Sequence, residues 1–234
     1  MAGADLAELF LAALEALGIA PASGDVLVVA QKAVSKAEGR LVPLAEVEPS
    51  SFARDYAATY GRDARLIEIV LRESRRIVKM DRGMLVVETH HGFVCANAGV
   101  DLSNVSGGAV ACLLPVDSDR SAAELRAGIA QRAGVELGVI VSDTFGRPWR
   151  NGLTNVALGL AGMPAVRSHV GERDPHGYDL RLTELAVADE IAGAAELVMG
   201  KIDGRPFAVV RGFVASGEGT GRSLVREASL DLFR

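Results

Sequence analysis

Apolar positions along this chain fall into helical and strand rhythms that alternate without repeating. Over residues 5–17, Leu6, Leu9, Phe10, Ala13 and Leu17 recur at the spacing of one helix face, with Asp5 and Glu8 as a capping-box pair and Gly18 closing the run. Val26–Ala30 is then apolar without a break after a Gly-Asp turn, as expected of a strand covered on both faces. Residues 51–60 and 63–73 return to helical spacing, and 77–80 and 85–88 read as strands about the turn Asp81-Arg82-Gly83. A helix is predicted over 121–132, with Ser121 and Glu124 as its capping box and Gly134 at its exit. An apolar strand over 135–142 comes next and delivers Asp143 and Thr144 at its end. A long Ala-rich helix is predicted over 183–199, stopped by Gly200, and a last strand over 207–211. The tail from 215 onward is rich in Gly and charge and reads as a linker or arm, which leaves residues 1–214 as the main unit.

This order fits a mixed α/β or α+β architecture and matches no plain Rossmann or P-loop repeat. Only 5% of the residues are aromatic while 49% are hydrophobic, so the core must be built from small and branched aliphatics. A net charge of −5 gives no general field for nucleic acid, although Arg72, Arg75, Arg76 and Lys79 form a local basic cluster suited to a small anion. No apolar run is long enough to span a bilayer, and no signal peptide opens the chain, so a cytoplasmic setting is expected. Cys95 and Cys112 lie in apolar segments and read as packed thiols.

Two segments are denser in chemistry than turns require. Asp101 follows Asn97-Ala98-Gly99-Val100 and precedes Ser103 and Asn104, a run of hard oxygen donors that suits Mg²⁺ or Mn²⁺ as well as it suits an Asx-turn. Asp143 and Thr144 form a second oxygen pair at a strand end, and Gly146-Arg147-Pro148-Trp149-Arg150-Asn151-Gly152 comes directly after. Two guanidiniums on a stiffened loop suit phosphate or carboxylate, and Trp149 could cover a planar ring. Lys32, Ser35 and Lys36 come after the first strand and could hold phosphates or simply begin a solvated helix. Met199-Gly200-Lys201, with Asp203 and Gly204 beyond, carries a signal of similar strength. The run 217–223 lacks the spacing and lysine of a phosphate loop, and His90, His91, His169 and His176 show no metal-binding spacing.

Five stretches together resemble the coenzyme F420-0:L-glutamate ligase family, where F420 denotes a deazaflavin cofactor. They are GDVLVVAQKAVSKAEGR, ARLIEIVLRESRRIV, THHGFVCANAGVDLSNV, VSDTFGRPWRNGLTNVALG and ELAVADEIAGAAELVMGK, and they cover most of residues 24–212. The resemblance implies a family-specific mixed-sheet fold, an intertwined homodimer, and a GTP-dependent reaction. In that reaction, the acceptor's terminal carboxylate is phosphorylated and the amine of L-glutamate displaces the phosphate. The resemblance also implies two Mn²⁺ or Mg²⁺ ions on Asp101, Asp143 and Thr144, and K⁺ as a further requirement. GTP contacts would come from Ser35, Lys36, Asn104 and the segment Met199, Gly200, Lys201, Ile202, Asp203, Gly204, Arg205 and Pro206. Arg147 and Arg150, with Asp143, are the catalytic candidates for the anionic substrate or acyl phosphate.

The chain departs from the family pattern in opening directly at a helix, where relatives begin with a strand, and in carrying Lys201 where some relatives have a carboxylate or amide. The tail resembles the junction into a nitroreductase-like domain. Two other readings stay open: a ligase acting on another carboxylate acceptor such as dehydro-F420-0, and a non-catalytic subunit that binds nucleotide or deazaflavin.

Overall fold

The strand that reads as buried on both faces sits at the heart of the fold. In the computed structural model, which describes residues 2–102, 106–213 and 217–231, β1 (Val26–Ala30) comes after helix α1 (Leu6–Ala16) and leads straight into α2 (Gln31–Ala37). A smaller unit comes next: β2 (Leu41–Pro43), α3 (Ser51–Tyr60), α4 (Ala64–Arg72), the strands β3 (Ser74–Asp81), β4 (Met84–Thr89) and β5 (Val94–Ala96), and β6 (Val110–Cys112). The chain then returns through α5 (Ser118–Ala133), β7 (Gly138–Arg147), β8 (Arg150–Ala161), the short β9 (Arg167–Ser168) and β10 (Glu184–Leu185), α6 (Val187–Met199) and β11 (Phe207–Val210).

The main sheet has the order β11-β1-β7-β8, with β1 and β7 parallel and both outer pairs antiparallel. Alternation along β1 divides its side chains between two cores. Val26 and Val28 pack with Ile140, Leu160 and Ala192 on the α6 face, whereas Leu27 and Val29 pack with Phe10, Leu125 and Ile129 on the α1 and α5 face. The result is a helix–sheet–helix sandwich, and with it the mixed α and β class read from the sequence.

The smaller unit has its own core. Tyr56 and Ala57 of α3 and Ile67 and Val70 of α4 cover Leu85 and Val87 of the meander β3-β4-β5. Its β3–β4 turn falls where the sequence puts it, with Arg82 and Gly83 at φ of 49° and 76°. Buried Gln31 stitches this unit to the sheet by donating from Nε2 to Leu113 O at 2.9 Å and to Ser35 Oγ at 2.6 Å. Arg40 adds an ion pair to Glu73 at 2.8 Å.

Three boundaries differ from the sequence reading. Helix α5 begins at Ser118 rather than 121, because the Asp117 carboxylate caps it by accepting from Arg120 N at 2.9 Å. Ser121 lies inside that helix and donates its hydroxyl to Asp117 O. Helix α6 begins at Val187 rather than 183, because Glu184 and Leu185 are drawn into a ladder with Arg167 and Ser168. The third difference is the largest: the loop expected over 146–152 is the end of a long hairpin. Strands β7 and β8 pair down to Arg147↔Arg150, leaving only Pro148 and Trp149 in the turn.

The tail does not hang free. Residues 217–224 lie along β8, and Gly221 N donates to Asp119 Oδ1 at 2.6 Å, an atom that also accepts from Leu160 N at 2.9 Å. A Cβ on Gly221 would stand 2.2 Å from Leu158 O, so only glycine permits this approach. Both cysteines are buried and free. Among the described residues no helix is long and apolar enough to cross a membrane.

Candidate active site

The parallel pairing of β1 and β7 ends at Ala30 opposite Ser142, so the residues just after that pair on both strands border the same space. A cavity of about 420 Å³ opens there between α2, the ends of β7 and β8, and the segment after α6. Lys32 and Lys36 line it from α2; Ser142, Asp143 and Thr144 come from β7, and Asn155 from β8. Glu196, Met199, Gly200, Lys201, Ile202, Gly204, Arg205 and Pro206 complete the wall. Pro206 O also accepts from Ala30 N at 2.9 Å, which ties that wall to the end of β1. Gly200 turns the chain at φ 65° and ψ 147°, and a Cβ there would meet Asp203 Oδ2 at 2.6 Å.

The floor is a chain of polar contacts. Lys201 Nζ donates to Thr144 Oγ1 at 3.0 Å, the Thr144 hydroxyl donates to Asn155 Oδ1 at 2.8 Å, and Asn155 Nδ2 donates to Glu196 Oε2 at 3.1 Å. Asp143 stands beside this chain. Burial pushes its carboxyl up to about 6, against opposing pulls from the Thr144 amide and from the charges of Lys201 and Lys32; the Asp101 charge adds to the rise. Asp101 is fixed by a two-way backbone bridge to Cys112, and its Oδ2 lies 2.5 Å from Lys32 Nζ. Two carboxylates that repel each other, with lysines facing them, form a site arranged around positive charge.

The structure therefore brings together Asp101, Asp143, Thr144, Lys36 and most of 199–206. It leaves others apart. Ser35 is fully buried and accepts from Gln31, behind the cavity wall. Asp203 does not line the cavity and stands 3.8 Å from Arg205. Arg147 and Arg150 occupy the exposed end of the hairpin, where Arg147 donates to Asn151 O at 2.7 Å. Trp149 between them is 80% exposed. Asn104 lies outside the described residues. His90 and His91 make contacts through Nε2 to Arg72 O and Pro115 O. Asn155 and Glu196 escaped the sequence reading; the one available signal was a lone amide within the apolar run of β8.

A three-layer mixed-sheet enzyme scaffold with acidic and lysine side chains gathered at its strand ends is the class this geometry defines. The chain belongs to the F420-0:Gamma-glutamyl ligase family, whose sequence model matches residues 1–212. It is 45% identical over 237 residues to the "Coenzyme F420:L-glutamate ligase" of Methanothermobacter thermautotrophicus, covering 100% of this chain and 94% of that protein. A protein with the same designation from Methanopyrus kandleri is 44% identical over 238 residues, covering 99% of this chain and 92% of its own length. One from Methanocaldococcus jannaschii is 41% identical over 213 residues, covering 90% and 85%. Membership in this family makes the chain an enzyme rather than a binding subunit.

Proposed function

We propose that this enzyme joins L-glutamate to coenzyme F420-0, and to the growing γ-glutamyl tail, at the expense of GTP. The observation that carries the reading is the convergence of Asp143 and Thr144 with Lys32, Lys36 and Lys201 on one 420 Å³ cavity, with Asp101 held beside it by its ion pair to Lys32. In the first step the acceptor's terminal carboxylate oxygen bonds to the γ-phosphorus as the bond to the β-phosphate oxygen breaks, which releases GDP. In the second, the glutamate amine attacks the acyl carbon, the C–N bond forms, phosphate leaves and the amine loses a proton.

Both steps crowd negative oxygens together, and the residues present are suited to holding them. Lys32 and Lys36 from α2 and Lys201 from the segment after α6 supply positive charge on two sides of the cavity for phosphate oxygens. The backbone of 199–206, turned at Gly200 and Gly204, gives the nucleotide a close-fitting edge.

The donor chemistry also fits divalent metal. Among the described residues no group of three or more His, Cys, Asp or Glu side chains is gathered as a self-sufficient metal cage. Two carboxylates and a hydroxyl, all hard oxygens beside a phosphate-sized space, are what Mg²⁺ or Mn²⁺ uses when substrate phosphates complete its shell. Asp101, Asp143 and Thr144 would hold such ions, which would neutralise charge on the transferring phosphoryl group. In this reading Lys32 and Lys201 act as counter-charges to the same oxygens until nucleotide and metal arrive.

The test is mass spectrometry of coenzyme F420-0 incubated with the enzyme, L-glutamate, Mn²⁺ and either GTP or ATP. Glutamyl mass increments that require GTP and metal are expected. An increment with GTP only on a different carboxylate acceptor, such as dehydro-F420-0, would move the reading to that acceptor.

A further inference from the structure

A second and a third cavity lie outside the site described above and share no lining residue with it. Val156, the ladder partner of Asp143, and Phe145, two residues along the same strand, line a cavity of about 320 Å³ with Phe93, Leu224 and Val225. Gly92, Val225 and Arg226 are shared with a larger cavity of about 690 Å³. An aromatic row runs between the two: His91 stacks on Phe93 at 5.7 Å, and Phe93 meets Phe145 edge-on at 6.2 Å. His91 Nδ1 is buried without a hydrogen-bond partner, because Nε2 is the atom bonded to Pro115 O.

The outer cavity has an unusual charge for so acidic a chain. Arg75, Arg76, Arg222 and Arg226 line it against Glu88 and Glu227. Glu88 is buried and engages both Arg75, at 3.6 Å, and Arg76, at 2.7 Å, so that group is largely neutralised within itself. The guanidiniums of Arg222 and Arg226 form no ion pair among the described residues. Both come from the tail segment, which the Gly221–Asp119 contact fastens along β8. The inner cavity is apolar apart from Asp189, Asp231 and Arg226, and it reaches Val156, which pairs with Asp143 in the ladder. Two guanidiniums outside any ion pair at its mouth are placed to receive a negatively charged group on a partly apolar molecule.

We propose that this inner cavity, walled by residues 217–231, holds the carboxylate-bearing acceptor, and that Arg222 and Arg226 bind a negative group on it remote from the reacting end. Nucleotide and acceptor then occupy separate cavities. The inference rests on the ligase reading, and it assigns the tail a part in substrate recognition although the family's sequence model ends at residue 212.

The experiment pairs calorimetric binding of coenzyme F420-0 with steady-state kinetics, using wild type and the exposed double variant Arg222→Ala/Arg226→Ala. The variant should bind F420-0 at least tenfold more weakly and raise its KM to match. KM for GTP and for L-glutamate should stay within twofold and Tm should not change. Lys36→Ala, on the nucleotide side, should show the converse, with KM rising for GTP alone. Equal binding of F420-0 by wild type and the arginine variant overturns the proposal while leaving the ligase reading intact. A wild type that binds F420-0 but adds no glutamate overturns the ligase reading, and the loss of binding in the variant still upholds the acceptor site. A wild type that neither binds nor extends F420-0 overturns both.

Discussion

Two aspartates mark the two ends of the same pair of parallel strands, and the fold treats them in opposite ways. Asp25, just before β1, is almost wholly buried, yet its carboxylate accepts two bonds from Arg211 at 2.7 Å and one from Ala22 N at 2.9 Å. The Arg211 guanidinium holds it below the ordinary carboxylate range. Asp143, toward the other end of β7, faces a cavity, and burial raises it to about 6. The first carboxylate is closed within a pair that fastens β11 to β1. The second is kept short of partners beside open space. Charge that serves stability is saturated, whereas charge that serves binding is left incomplete, and this difference separates the structural end of the sheet from its working end.

The sharpest way to break this comparison is Asp143→Asn. Turnover should fall about a hundred- to a thousandfold, as for loss of a group that organises transition-state charge, while Tm holds or rises because a desolvated carboxylate is gone. A folded, active Asp143→Asn enzyme would remove the distinction altogether. Lys201→Ala comes next: kcat/KM for GTP should drop about ten- to a hundredfold, with little change in Tm, since Lys201 contributes one exposed bond to Thr144. Asp25→Asn should do the reverse, lowering Tm by about 3–8 °C in thermal melts while kcat/KM stays within about threefold.

The smallest effect is one of sign, read from melts across pH without divalent cation. Asp25 has a folded pKa below 3.8, so its contribution is complete above about pH 4 and is lost as pH falls through the depressed value. Asp143 has a folded pKa of about 6, so its contribution is complete below 3.8 and is lost as pH rises through 6. Relative to wild type, Asp143→Asn should therefore gain stability between pH 4 and 7, where Asp25→Asn loses it. Parallel curves for the two variants would show that the ends do not differ as described.

The sequence made the buried strand, most helices and the β3–β4 turn legible because each depends on local period and turn chemistry. The β7–β8 hairpin was hidden by its own tip: Gly146, Pro148 and Gly152 read as a loop, yet Gly146 pairs with Leu153 in the ladder and Gly152 falls at its register shift. The site was half legible. Asp101, Asp143 and Thr144 stand out as oxygen donors in apolar surroundings, whereas Asn155 and Glu196 matter only through a cross-strand neighbour and a helix face. Ser35 shows how a helix face escapes the sequence. A hydroxyl beside two lysines reads as a ligand group, but the helix turns it inward onto Gln31. In the tail, the glycines suggest slackness, yet one of them, Gly221, lets the chain reach Leu158.

The parallel register of β1 and β7 sets residue 26 against residue 138, with the whole smaller unit strung between them. That pairing closes a loop of more than a hundred residues, whereas the smaller unit is built from contacts much nearer in sequence. Lys32 and Asp143 meet only across that same pairing. The working end of the sheet therefore exists only once that long loop has closed, so the site depends on the long-range topology and not on any local segment.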